Sequence, residues 1–119
     1  MDLLLMRNLE QFFRLVNRWP VKLEERIECH WPPHGVLLEC HQGRLLMTTW
    51  LLNTPARDLK PYLSRWHPEA FAGRVQRLFI VKNRLMISCL CPSTHQGHDW
   101  YHLYQQQQKF LNRMLIGGQ

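Results

Sequence analysis

Cys89 and Cys91, followed by His95, His98 and His102, are the residues of this 119-residue chain best suited by type to hold a metal ion. Thiolate and imidazole ligands suit zinc, and His98 and His102 share one face of a helix. The spacing argues against such a site. Zinc motifs separate their paired cysteines by two or more residues. On a strand, Cys89 and Cys91 point the same way but stand about 6.5 Å apart, too far for one ion unless the strand bends. The spacing favours inward cysteines packed as small apolar side chains and histidines at the surface. Cys29-His30 and Cys40-His41 are adjacent pairs whose side chains diverge on strands.

Other chemistries find less support. Cysteine and histidine are both present, but no glycine elbow, oxyanion loop or phosphate-cradling glycine-rich turn accompanies them. Among the carboxylates, Asp58 and Asp99 are placed to cap helices. The chain therefore reads as no enzyme. Five tryptophans (Trp19, Trp31, Trp50, Trp66 and Trp100) are numerous enough to suggest stacking platforms for single-stranded nucleic acid. Three continue apolar helix or strand patterns, however, and no basic-aromatic recognition module is present. A small basic nucleic-acid-binding protein and a zinc or thiol protein are the alternatives that these residues leave.

The bulk properties describe one domain over residues 1–119. The chain is 45% hydrophobic and 20% charged, with a formal net charge of +6. Its fifteen Lys and Arg residues are spread along the whole length. A mildly cationic surface of this kind suits an acidic partner. No run approaches the ~18 apolar residues of a membrane span, so no membrane insertion is expected. Leu3-Leu4-Leu5-Met6 is too short for a secretory core. The chain reads as cytosolic, with reduced cysteines.

Periodicity supplies the elements. Leu5, Leu9, Phe12, Phe13 and Val16 recur on one helical face, predicting a helix over 3–18 that Pro20 stops. Residues 21–31 form a weaker strand candidate, and Pro32-Pro33-His34-Gly35 a turn. Val36 to His41 and Leu45 to Leu52 are strands joined through Gly43. Asp58 caps a short helix whose apolar face is Leu59, Tyr62, Leu63 and Trp66, ended by His67-Pro68. Asp99 caps a last helix carrying Trp100, Leu103, Tyr104, Leu111 and Met114, which Gly117-Gly118 ends.

Between these helices, residues 74–92 read as a hairpin turning at Lys82-Asn83. Val75, Arg77, Phe79 and Val81 share one face of its first strand; Gln76, Leu78 and Ile80 share the other. In the second strand, Leu85, Ile87, Cys89 and Cys91 oppose Met86, Ser88 and Leu90. Both faces are apolar, whereas an antiparallel hairpin normally keeps one face wet. The hairpin is therefore either central in its sheet or covered on one side by another chain. The element order α-β-β-β-α-β-β-α implies an α+β fold with a twisted, mostly antiparallel sheet.

Several segments, in this order and spacing, resemble the CesL/SsaM group of type III secretion chaperone-like gatekeeper subunits. They are His41-Gln42-Gly43-Arg44, Leu63-Ser64-Arg65-Trp66-His67-Pro68, Gln76-Arg77-Leu78-Phe79, Met86-Ile87-Ser88-Cys89 and Gln107-Gln108-Lys109-Phe110-Leu111. The likeness runs from about His41 to Leu111 and is weak over Val21 to Glu39. It implies the type III secretion chaperone-like fold. It also implies a non-enzymatic, cofactor-free subunit of the bacterial cytoplasm, working at the base of the secretion apparatus. Such a subunit pairs with a second small chaperone as a heterodimer and binds the gatekeeper protein. That complex controls the order of translocator and effector secretion. Secretion chaperones are commonly acidic and this chain is basic, so an acidic partner subunit is expected. The expected partner surface is the middle helix with the hairpin: Tyr62, Trp66, Arg77, Phe79, Met86 and Ser88. Either the set Leu78, Ile80, Met86 and Leu90, or the face with Phe79, looks towards the partner.

Overall fold

A computed structural model describes residues 1–63, 66, 71 and 73–117, with side chains through 113. The elements follow the expected order: α1 (Leu3–Leu15), β1 (Arg26–Trp31), β2 (His34–His41), β3 (Arg44–Pro55), α2 (Lys60–Leu63), β4 (Arg77–Val81), β5 (Arg84–Leu90) and α3 (Gly97–Gly117). The predicted stop of α2 at His67-Pro68, the Met114 side chain and Gly118 lie outside the described residues.

Helix α1 is three residues shorter than its apolar repeat suggests, because Asn17 takes a left-handed conformation (φ 61°). The amide of Arg18 then donates to the carbonyl of Phe13, and that of Asn17 to Arg14, closing the last turn. At the other end, Asp2 Oδ1 accepts from the Leu5 amide at 2.7 Å. The first strand begins only at Arg26; Val21 and Leu23 pack on the core without joining the sheet. Asp58 caps α2 as expected, accepting from the Lys60 amide at 3.0 Å. Asp99 plays a different part from the one predicted. It sits in the first turn of α3 and reaches back to accept from the Gln96 amide at 2.8 Å.

Two tight turns set the register. Gln42-Gly43 and Lys82-Asn83 have positive φ at both central positions, the geometry that matches strand twist in two-residue hairpins. The sheet order is β1-β2-β3-β5-β4, with every pairing antiparallel. The β4–β5 hairpin is thus not central: β5 lies against β3, and β4 forms an edge.

Helices α1 and α3 pack on one face of this sheet, called inner below. The larger core cluster joins Leu9, Phe12 and Phe13 of α1 to Leu38, Met47 and Cys91 and to Trp100, Leu103 and Tyr104 of α3. A smaller cluster under β4 and β5 contains Leu85, Ile87, Phe71, Phe110 and Leu111. Between them runs a buried polar chain. Thr49 Oγ1 donates to Gln107 Oε1 at 2.6 Å, and Gln107 Nε2 donates to Gln76 Oε1 at 3.0 Å. Both Thr49 and Gln107 are fully buried, so these bonds satisfy groups that would otherwise be costly to desolvate.

His34, expected in a turn, instead opens β2 and is 3% exposed. Its Nε2 lies 2.9 Å from Asn112 Oδ1, and its Nδ1 lies 3.4 Å from the amide nitrogen of Gln108. A carbonyl oxygen on one side and an amide donor on the other select the neutral ring with its proton on Nε2. Burial holds the pKa of this ring below its usual value, against the opposing hydrogen bond to Asn112. The native state therefore binds fewer protons at His34 than the unfolded chain does. Its contribution to stability is present above the unfolded pKa of about 6.5 and is lost as pH falls below it. Urea midpoints measured at several pH values should drop on this acid limb. His34→Gln should flatten the drop.

Candidate partner-docking face

The opposite face of the sheet, the outer face, is built by strand alternation. Cross-strand registers align its side chains in three rows. One row runs Arg26, Glu39, Leu46, Leu90. The next runs Glu28, Leu37, Thr48, Ser88, Arg77. The third runs His30, Gly35, Trp50, Met86, Phe79. The third row closes tightly at its β2 end. A Cβ on Gly35 would overlap the Trp50 indole. His30 meets that indole edge-on, with centroids 6.4 Å apart. Glycine at 35 is what lets so large a ring sit against the sheet and stay only 3% exposed.

Beyond Trp50 the rows open into a groove of about 1030 Å³. Its apolar floor is Leu37, Leu46, Phe79, Met86 and Leu90, with Val75 at one side. Leu90 is 48% exposed and Val75 82%. Arg26, Arg44 and Arg77 stand around it, with Glu25 and Glu39. Arg44 is engaged, its Nε donating to the Cys91 carbonyl at 3.1 Å. Arg26 Nε is 3.9 Å from Glu39 Oε2, a loose and exposed pair worth little in water. No residue of a helix lines the groove among the described residues.

The six residues singled out from sequence divide between the two faces. Arg77, Phe79, Met86 and Ser88 meet in the groove: Phe79 is directly opposite Met86, and Arg77 opposite Ser88. Tyr62 and Trp66 are half-buried on the other side, packed against the smaller core cluster. The Trp66 ring stands 5.4 Å from both Phe71 and Phe110. The alternative grouping of Leu78, Ile80, Met86 and Leu90 is split as well. Leu78 and Ile80 pack inward on the smaller cluster, while Met86 and Leu90 look outward with Phe79. Leu37, Leu46 and Val75 were missed as groove residues. The alternation of their strands carries the signal, but it becomes legible only once β3 is known to pair with β5.

Among the described residues, no three His, Cys, Asp or Glu side chains converge closely enough to hold an ion. Cys89 and Cys91 are both buried on the inner side, and His98 turns outward to within 3.5 Å of Asp99. Burial, helped by Glu28, pushes the Cys29 thiol up to about 11. Burial also raises Cys40 to about 11. The tryptophans are mostly packing elements: Trp100 is 2% exposed, and Trp31 lies against Phe12, Phe13 and Tyr104.

A five-stranded antiparallel sheet backed on one face by its first and last helices, with an apolar groove on the other, is the type III secretion chaperone-like fold. A chain of the ExoT–SpcS complex from Pseudomonas aeruginosa has the same fold, with a TM-score of 0.62 and 16% identity over 89% of this chain and 92% of that one. The family model SsaM matches residues 2–114, and the chain belongs to the SsaM family. The secretion system apparatus protein SsaM of Salmonella typhimurium is 29% identical over 119 residues, covering 98% of each chain. The protein is thus an SsaM-like protein with the type III secretion chaperone-like fold. No helix among the described residues is long and apolar enough to cross a membrane.

Proposed function

We propose that this chain is a non-enzymatic chaperone subunit that pairs with a second small, acidic chaperone and binds the gatekeeper protein of a type III secretion system. In that role it helps hold back effectors until translocators have been exported, working in the bacterial cytoplasm at the base of the apparatus. The observation that carries this reading is the open outer face, with Phe79, Met86 and Leu90 forming an apolar floor beside Arg77. Covering that floor with a partner chain gains roughly 25 cal/mol per Å² of apolar area before the costs of association. Aromatic and arginine side chains set side by side are the usual centre of such an interface. Tyr62 and Trp66 support this surface from beneath, filling the core under β4. The ExoT–SpcS complex adds a precedent for a chain of this fold held in a complex.

Co-expression with a small acidic chaperone subunit tests the reading directly. A soluble complex that retains gatekeeper in a pull-down supports it; a chain that stays alone and soluble counts against it. The net charge of +6 adds a kinetic expectation. Association with the acidic subunit should slow markedly as salt rises from about 50 to 500 mM, because opposite charges steer encounter and salt screens them. Stopped-flow rates indifferent to ionic strength would remove the acidic partner from the proposal.

A further inference from the structure

Cys89 and Cys91 are used by none of the above, and their surroundings are unusual. Cys89 and Cys91 lie two residues apart at the end of β5, both buried on the inner side, and their thiols are hydrogen-bond partners. Beside Cys89 lies a cavity of about 290 Å³, also lined by Gly73, Arg74, Val75 and His95. Among the described residues, three buried polar atoms beside this thiol have no hydrogen-bond partner: Arg74 Nε, Gln76 Nε2 and His95 Nδ1. Gln76 is 9% exposed, and its carbonyl is already held by Gln107. Arg74 is likewise anchored, its Nη1 donating to Gln106 Oε1 at 2.7 Å. Donors such as those of Arg74 and Gln76, held in place by a second bond on the same side chain and set beside a sulfur, are arranged for negative charge on that sulfur.

We propose that Cys89 and Cys91 form a redox-active dithiol, in which Cys89 is the attacking sulfur towards a small peroxide entering the cavity and Cys91 is the resolving thiol. The charge pattern agrees. The Cys91 S–H bond, then Arg74 and Gln76, hold the Cys89 thiol below its usual range against the opposing effect of burial. The same hydrogen bond and burial push Cys91 far up, keeping its proton in place to donate. In the first step the Cys89 thiolate attacks one peroxide oxygen, the O–O bond breaks, and hydroxide leaves to become water. Cys89 is now a sulfenic acid. Cys91 then attacks the Cys89 sulfur, the S–O bond breaks, and the released hydroxide takes the Cys91 proton as a second water. The two thiols lose two electrons and the peroxide gains them.

The test is graded hydrogen peroxide on the full folded chain, followed by alkylation and peptide mass spectrometry of all four cysteines. Cys89 should be oxidised about tenfold faster than Cys29 and Cys40, whose thiols burial raises. The product should be an internal Cys89–Cys91 disulfide. Cys91→Ser should stop at a sulfenic acid on Cys89 that dimedone traps. Arg74→Gln, which leaves every sulfur in place, should slow Cys89 oxidation at least threefold while the four thiols of the urea-unfolded chain react alike. Equal rates for all four cysteines in the folded chain, faster reaction at Cys29 or Cys40, or an Arg74→Gln chain oxidised at the original rate would overturn the proposal.

Discussion

Phe79→Asp should abolish recovery of the partner subunit and gatekeeper while leaving the fold in place. Phe79 is half-buried on the outer face, opposite Met86 and in the same row as Trp50. A carboxylate there would be desolvated by any chain seated in the groove and would replace the apolar contact opposite Met86. Losing an aromatic anchor of this kind costs about 2–4 kcal/mol of binding, roughly 30- to 1000-fold in Kd. The inner face keeps its contacts, so far-ultraviolet circular dichroism and the urea midpoint should change little. Leu78→Asp on the same strand should do the opposite. Its side chain enters the smaller core cluster, and a charge there should unfold the hairpin region before any question of binding arises. Full partner binding by folded Phe79→Asp would remove the outer face from the proposal.

Phe12→Ala should lower stability by about 3–5 kcal/mol, the range for removing a fully buried phenylalanine. Phe12 is 0% exposed. It meets Phe13 edge-on at 5.4 Å, Tyr104 edge-on at 6.0 Å and the Trp31 ring in a stacked arrangement at 6.5 Å. It thus ties α1, β1 and α3 together, and its loss leaves a cavity that three different elements would have to move to fill. For a chain of this size the change amounts to roughly 10–20 °C in Tm. Leu4→Ala in the same helix is the control. Leu4 is 66% exposed, and its truncation should stay within about 0.5 kcal/mol. Differential scanning calorimetry of the two variants compares the buried and exposed faces of one helix.

The groove and the thiol pair share a residue span without sharing a face. Leu90 looks outward into the groove, and its two neighbours look inward. The hairpin that contains them also carries two of the segments on which the family resemblance rests, Gln76-Arg77-Leu78-Phe79 and Met86-Ile87-Ser88-Cys89. Its two apolar faces have separate causes in the structure. The inner one is covered by the protein's own core. The outer one lies open around Phe79.

Local chemistry was enough to specify much of this molecule. The apolar repeat of α1, the Asp58 cap and the turns at Gln42-Gly43 and Lys82-Asn83 depend on residues within a few positions of one another, and the element order follows from them. The same is true of the α+β class. Other features required contacts between distant segments. Period-two alternation sorted Phe79 from Leu78, but both faces of β4 are apolar, so it could not say which one the helices cover. The pairing of β5 with β3 decided that, and with it the separation of Tyr62 and Trp66 from Arg77, Phe79, Met86 and Ser88. Gln107 is one of four consecutive glutamines, and only the tertiary structure brings Thr49 and Gln76 to it. Cys89 and Cys91 are too far apart for direct interaction on an ideal strand. Only the tertiary packing sets Arg74 and Gln76 beside the Cys89 thiol.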